Sequence, residues 1–426
     1  MPNPTRKISP LLVAGAILAL GVGIGTLLIP RSVPDKPNPG PLPDPRLAGL
    51  GEIPEWTTLQ KYDGVLTRAQ FEKAMREVYA LKENWHCTLT DKAVTIHSDF
   101  QPAGQVIKFA TLGAPKSPPR YWSPASLLKA APVGKPLAGL HIAIDPGHLG
   151  GKWAIMEERW YQLGTSKPVA EGDMTLQTAR VLKPQLEQLG AKVTLVRETT
   201  KPVTDKRPED FGAYAARRMP GAPETELRKA AEKLFYRTSE IRARAKLVNG
   251  TIKPDLILCL HFNAENWGSE ADAPRFSPRN HFHMILHGAY MEEEIAHEDE
   301  RFEMMHKIFQ EVHEEEVAIA TELAKSFRAD TKLPNYIYLL GKPTIRIGPG
   351  LWARNLLANR LYQCPVLFFE PYVMNNRDVH ARVQVGDYEG AKDVNGKLRK
   401  SIYREYAQAV VNGLVNYYEP RRNVSP

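Results

Sequence analysis

Apolar and polar positions along this chain change period several times, and each change marks an element. LHIAI (140–144), VTLV (193–196), DLILCL (255–260), HMILH (283–287) and VLFFE (366–370) are nearly continuous apolar runs and read as buried strands. Between the first two, Leu176, Ala179, Leu182, Leu186 and Leu189 recur at helical spacing from Asp173 until Gly190. Pro184 inside that run is expected to kink or split the helix. Longer helical stretches follow over 224–249 and 291–329, and a last helix over 402–418. Apolar strands separated by helices predict an α/β fold, a mostly parallel sheet with helices on both faces, over residues 139–420.

The upstream pattern differs. Leu11 to Pro30 carries no charge and follows Arg6 and Lys7, so it is long enough to span hydrocarbon. Its apolar core runs into Ile29-Pro30-Arg31 rather than a small-x-small cleavage site, which favours an uncleaved anchor in residues 1–33 over a signal peptide. The proline-rich run 34–46 reads as an extended spacer. Residues 47–135 pattern as a small α+β module of unassigned role, with a helix over 67–80 and strands over 93–97 and 105–110. The Pro- and Ser-rich stretch 114–136 reads as a linker. The working part of the chain is therefore expected in the periplasm or cell envelope, tethered to the inner membrane by residues 11–30.

Composition narrows this little. The 426 residues are 43% hydrophobic and 24% charged, which is ordinary globular material. The formal net charge of +8 is spread along the chain, compatible with an anionic polymer. No basic cluster interleaved with aromatics appears, so no nucleic-acid partner is expected. Three cysteines, Cys87, Cys259 and Cys364, are too few for a disulfide framework and form no CxxC pair. Cys259 and Cys364 sit in apolar runs and read as buried thiols, so a metal site would have to rest on His and Glu.

In open α/β sheets, functional groups gather at the carboxyl ends of strands. Here those ends are polar: Asp145-Pro146-Gly147-His148, then His261-Phe262-Asn263-Ala264, then Glu370-Pro371, with Glu171 just ahead of the first helix. Two imidazoles and a carboxylate, His148, Glu171 and His261, are the ligand set of a catalytic zinc. Glu370 is the candidate group to take a proton from water and return it to a leaving amine. Asp145 and Asn263 are candidates to orient the histidines. A rival site from His281, His283 and His287 lacks a carboxylate at fixed spacing, and no helical HExxH motif, GxSxG elbow or phosphate loop is present.

IDPGH, EGDMTLQTARVLKPQLEQLGAKVTLVRET, DLILCLHFNA, VLFFEPYVMNNRD and YAQAVVNGLVNYY, in that order, resemble the signatures of the zinc-dependent N-acetylmuramoyl-L-alanine amidases of the amidase-3 type, over roughly residues 140–200, 236–290 and 350–418. The resemblance implies one zinc ion on His148, Glu171 and His261, with Glu370 as catalytic acid/base. It also implies peptidoglycan as substrate, cut between muramic acid's lactyl group and the first L-alanine of the stem peptide. Departures are Leu149 between His148 and the glycine pair, a long gap from His148 to Glu171, and Cys259 where serine is usual. Glu157 and Glu158 lie in that gap and could rival Glu171 as ligand.

Two inserts interrupt the resemblance, near 201–240 and 291–349. In the second, Ile295, Phe302, Met305, Ile308, Phe309 and Val312 make one helix face and acidic residues the other, the pattern of a surface helix packed on the domain. Related amidases carry a blocking helix in this region, released by an activator protein. The resemblance therefore raises a regulatory helix, with a carboxylate among Glu292 to Glu294 reaching the metal. Two other functions remain in view: a zinc peptidase on stem peptides using the same four residues, and a catalytically silent wall-binding protein.

Overall fold

The computed structural model describes residues 43–111, 113–266 and 274–422; the apolar run Leu11–Pro30 and most of the spacer lie outside them. Among the described residues no helix is long and apolar enough to cross a membrane.

Seven strands form the central sheet: β1 (His141–Pro146), β2 (Lys192–Leu195), β3 (Leu256–Leu260), β4 (Phe282–Leu286), β5 (Ile345–Gly348), β6 (Leu351–Ala353) and β7 (Val366–Pro371). Their order is β5-β6-β4-β7-β3-β1-β2. The contiguous set β7, β3, β1 and β2 is parallel. β4 runs antiparallel to β7, and β5 antiparallel to β6, so the sheet is mixed on the β4-β6-β5 side, to which the second insert adds β5. Helices α1 (Glu171–Gln188), α3 (Val312–Thr331) and α4 (Ile402–Arg421) cover one face, burying Leu182, Leu186, Ile319, Leu323, Phe327, Tyr406 and Leu414. The other face buries Ala143, Ile257, Cys259, Ile285 and Phe368 against Val248 and Tyr362. Each such aliphatic side chain contributes roughly 1.5–3 kcal/mol by leaving water.

α1 runs unbroken through Pro184. The proline stands in the last turns, where it forfeits one helical donor, and buried Leu182 and Leu186 flank it. The 291–329 stretch, in contrast, divides into Glu292–Ala296, α2 (Glu298–Phe309) and α3. An extended His297 separates the first two, and Glu311 in the left-handed region (φ 54°) separates α2 from α3.

The upstream module contains a three-stranded antiparallel sheet, Cys87–Leu89, Ala93–Ile96 and Gln105–Lys108. Its helix Arg68–Ala74 is capped by Thr67 and Gln70 and continues as a wider turn over Met75–Tyr79. It shares one core with α2: Trp56, Tyr62, Phe71 and Tyr79 pack with Met304, Met305, Ile308 and Phe309. The stretch read as a linker is bound down as well. Trp122 is buried, Arg120 donates to the Gln310 carbonyl at 2.7 Å, and Glu315 accepts from the Ala125 N–H at 3.0 Å.

The acidic face of α2 is not solvated, contrary to its amphipathic pattern. Glu298 accepts from Trp56 Nε1 (3.0 Å) and Ser98 Oγ (2.6 Å), Asp299 pairs with Arg242 (3.0 Å), and Glu300 with Arg360 (2.8 Å). Glu292 accepts from Asn84 at 2.8 Å, and Glu294 caps the Met291 N–H at 2.8 Å. Both carboxylates are engaged with the module or their own helix end, not with the strand-end cluster.

Candidate metal centre

The end of β1 is shaped by close approach. A Cβ at Gly147 would stand 2.2 Å from Cε1 of His261, so only glycine lets the β1 and β3 ends come this near. The chain then turns at His148, held in the left-handed region at φ 57°. Arg197 grips this turn by donating to the carbonyls of Pro146 (2.9 Å), Gly147 (3.1 Å) and Gly172 (2.8 Å). Arg244 donates to the carbonyls of Pro146 (3.0 Å) and His148 (3.1 Å).

At this edge His148, Glu171 and His261 bring their ligand atoms within 4.8 Å of one another, and they are the only such group among the described residues. His148 Nε2 lies 3.3 Å from Glu171 Oε2, and His261 Nδ1 lies 3.1 Å from Glu171 Oε1. Glu171 is the first residue of α1 and also accepts from the Phe262 N–H at 3.1 Å. The His261 ring stacks on Phe368 at 4.2 Å. Glu370, one residue before the end of β7, lies one position beyond the Phe369–Leu260 pair, level with His261 just past β3.

Burial pushes His148 down to about 3, leaving a neutral imidazole with a free lone pair. Burial opposes charge on His261 too, but the hydrogen bond and charge of Glu171 outweigh it and raise its pKa. For Glu171, burial acts upward, yet the two histidines and Arg159 leave it lowered. Burial, reinforced by the negative Glu171 and opposed by His261, pushes Glu370 up to about 7. A neutral imidazole, a second imidazole and an ionised carboxylate converging on one point match the donor chemistry of a zinc ligand set.

The long gap between His148 and Glu171 forms a folded loop whose strands, Trp160–Tyr161 and Val169–Ala170, pair with each other. Tyr161 pins it by donating to the Met374 carbonyl at 2.5 Å. From this loop Glu157 places Oε2 at 3.5 Å from His148 Nδ1 and accepts the Leu149 N–H at 2.7 Å. It thus stands behind His148 rather than competing with Glu171, and exposed Glu158 joins no cluster. Arg159 sets Nε at 3.4 Å from Glu171 Oε2.

Asp145 and Asn263 do not orient the histidines. Asp145 is taken by Arg244 (2.9 Å) and the Tyr362 hydroxyl (2.5 Å), and so anchors the β1 end indirectly. Asn263 closes on its own neighbour, accepting the Ala264 N–H at 2.7 Å. His281, His283 and His287 disperse to Glu265 (3.2 Å), Tyr338 (3.1 Å) and Tyr290 (2.6 Å). Arg159, Arg197 and Arg244 escaped the sequence reading, because a cation carries no metal-ligand signal, and Glu157 entered it only as a rival to Glu171. Only the RET following β2, within the quoted resemblance, pointed near Arg197.

A family profile described as N-acetylmuramoyl-L-alanine amidase matches residues 142–416. Among solved structures, the apo form of the N-acetylmuramyl-L-alanine amidase Ami1 from Mycobacterium abscessus is 19% identical, covering 66% of this chain and 99% of its own, with a TM-score of 0.36. AmiC2 of Nostoc punctiforme, an N-acetylmuramoyl-L-alanine amidase, is 13% identical over 66% of this chain and 99% of its own, TM-score 0.37. The CwlD amidase from Clostridioides difficile, solved with the GerS lipoprotein, is 13% identical over 66% of this chain and 100% of its own, TM-score 0.38. No curated protein matches by sequence.

Proposed function

The chain belongs to the N-acetylmuramoyl-L-alanine amidase family, matched over residues 142–416, and from that premise we propose that His148, Glu171 and His261 hold one zinc ion and that Glu370 is the catalytic acid/base. The reaction is hydrolysis of the amide between N-acetylmuramic acid and L-alanine in peptidoglycan. The observation that carries the site assignment is the convergence of the three ligand atoms within 4.8 Å at one sheet edge.

Zinc bound here would supply a Lewis acid for the scissile carbonyl and the attacking water. The chain's own groups do the rest. Glu157 behind His148 and the ring stack of His261 on Phe368 fix the two imidazoles. Glu370, largely buried and raised to about 7, can take the water's proton near neutral pH and pass it to the leaving alanine nitrogen. Work on peptidoglycan fits the cell envelope, and the uncharged run Leu11–Pro30 supports tethering there by residues 11–30.

The test is mass spectrometry of muropeptides incubated with the full chain, with and without chelator, beside Glu370→Ala. Stem peptides with a free N-terminal L-alanine, lost with chelator and in the variant, are expected. Cleavage inside the peptide would instead make it a peptidase. A zinc-loaded protein that cuts nothing would make it a wall-binding protein.

A further inference from the structure

The metal centre is one end of a longer row. On the sheet face that carries Phe368, β3 leads to His261 and β7 to Glu370, and Glu370 pairs directly across the next strand with His283. Residues opposite each other on neighbouring strands share a face. The row does not stop there. His283 Nε2 meets the Tyr338 hydroxyl at 3.1 Å, and the Tyr338 ring stands edge-on to Trp352 with centroids 5.2 Å apart. Trp352 pairs with Ile285 on β4, and Arg354 follows it, its N–H held by the Leu286 carbonyl at 3.0 Å. The charge of Arg354 is felt at Tyr338, His283 and Glu370 alike.

Arg354 differs from its neighbours in charge balance. Arg279 is paired with Glu265 at 3.2 Å, and Arg360 with Glu300 and Glu303 at 2.8 and 2.6 Å. Arg354 forms no ion pair among the described residues and is half-buried. His283 Nδ1 is likewise buried without a partner. A half-buried guanidinium held in no close ion pair, near a phenol hydroxyl, is a receptor for a planar anion.

We propose that Arg354 and Tyr338 form a subsite that grips a carboxylate of the substrate's stem peptide. The proposal rests on the amidase reading. In that substrate the lactyl carboxyl of the sugar is consumed in the scissile amide, so the free carboxylates near the cut belong to the peptide. Tyr338 comes from the second insert, which thereby contributes to substrate selection. Neutral His283 spaces the grip from Glu370 and holds the Tyr338 hydroxyl in place.

Calorimetric titration of the full chain with a free stem tripeptide, and with the same peptide converted to carboxamides, tests this without turnover. The wild type should bind the acid form tighter, and Arg354→Gln should weaken that form about tenfold or more, as losing a charge-assisted hydrogen bond does, while leaving the amide form unchanged. Arg354→Lys, keeping charge but not the fork, should fall between, and Tyr338→Phe should cost less. Equal wild-type affinity for the two peptides, or equal weakening of both by Arg354→Gln, would overturn the proposal. Cleavage of intact muropeptides by the same preparations reports separately on the amidase reading. Discrimination without cleavage keeps the subsite and retires that reading; cleavage without discrimination does the reverse.

Discussion

Glu157 Oε2 stands 3.5 Å from Nδ1 of His148, the ring nitrogen that does not face Glu171. A carboxylate on the far nitrogen of a liganding histidine fixes its tautomer and strengthens it as a donor. Glu157→Gln should therefore weaken zinc binding by about 10–100-fold. Competition with a fluorescent chelator measures it, and unchanged affinity would show that Glu157 serves only the Leu149 N–H.

Gly147→Ala puts a methyl where the His261 ring lies, 2.2 Å from Cε1. The ring must move, because the other near neighbours of that methyl are atoms of the same ring. Expected are a folded protein by circular dichroism and loss of both stoichiometric zinc and activity. Retention of full activity would mean that the β1 and β3 ends separate easily.

The pH profile follows from Glu370. With its carboxyl raised to about 7, the group is protonated below that pH and cannot accept a proton. Activity should rise with pH through about 7, zinc occupancy being held constant. Glu370→Gln should lower kcat by about 10²-fold or more and remove that limb. A profile flat from pH 5 to 8 would assign proton transfer elsewhere.

Lys307 and Glu316 are both buried, with 3.7 Å between Nζ and Oε1, and Lys307 also donates to the Cys364 carbonyl at 3.1 Å. Removing the lysine strands a carboxylate inside the protein, a loss of roughly 3–5 kcal/mol. Lys307→Met should thus unfold at clearly lower urea than wild type. Burial raises Glu316 to about 7, so the folded state favours its proton and the associated stability is lost as pH rises from the ordinary carboxylate range through about 7. The Lys307→Met deficit should accordingly be larger at pH 8 than at pH 6. Urea titrations at both pH values decide it.

The strand ends were legible because an apolar run stopping at His148, His261 or Glu370 states both the element and the edge. Asp145 has the same local signal, but its partners Arg244 and Tyr362 arrive from distant helical and loop segments, so spacing could not tell an anchor from an orienter. Glu298, Asp299 and Glu300 looked solvated for a related reason. A buried acid and an exposed one have the same periodicity, and only Trp56, Arg242 and Arg360 reveal the difference. The crossing from β7 to antiparallel β4 was likewise invisible, since an apolar strand carries no mark of its direction.

The core shared by the upstream module and α2 has a temporal side. Phe71 and Tyr62 leave the ribosome long before Met304, Met305 and Phe309 exist to cover them. At about 5–20 residues per second, the interval is on the order of ten to fifty seconds. For that period the first folded-looking piece of the chain presents an unfinished aromatic surface. The nascent protein therefore depends on whatever holds exposed apolar chain in the cell, until its own second insert arrives to close it.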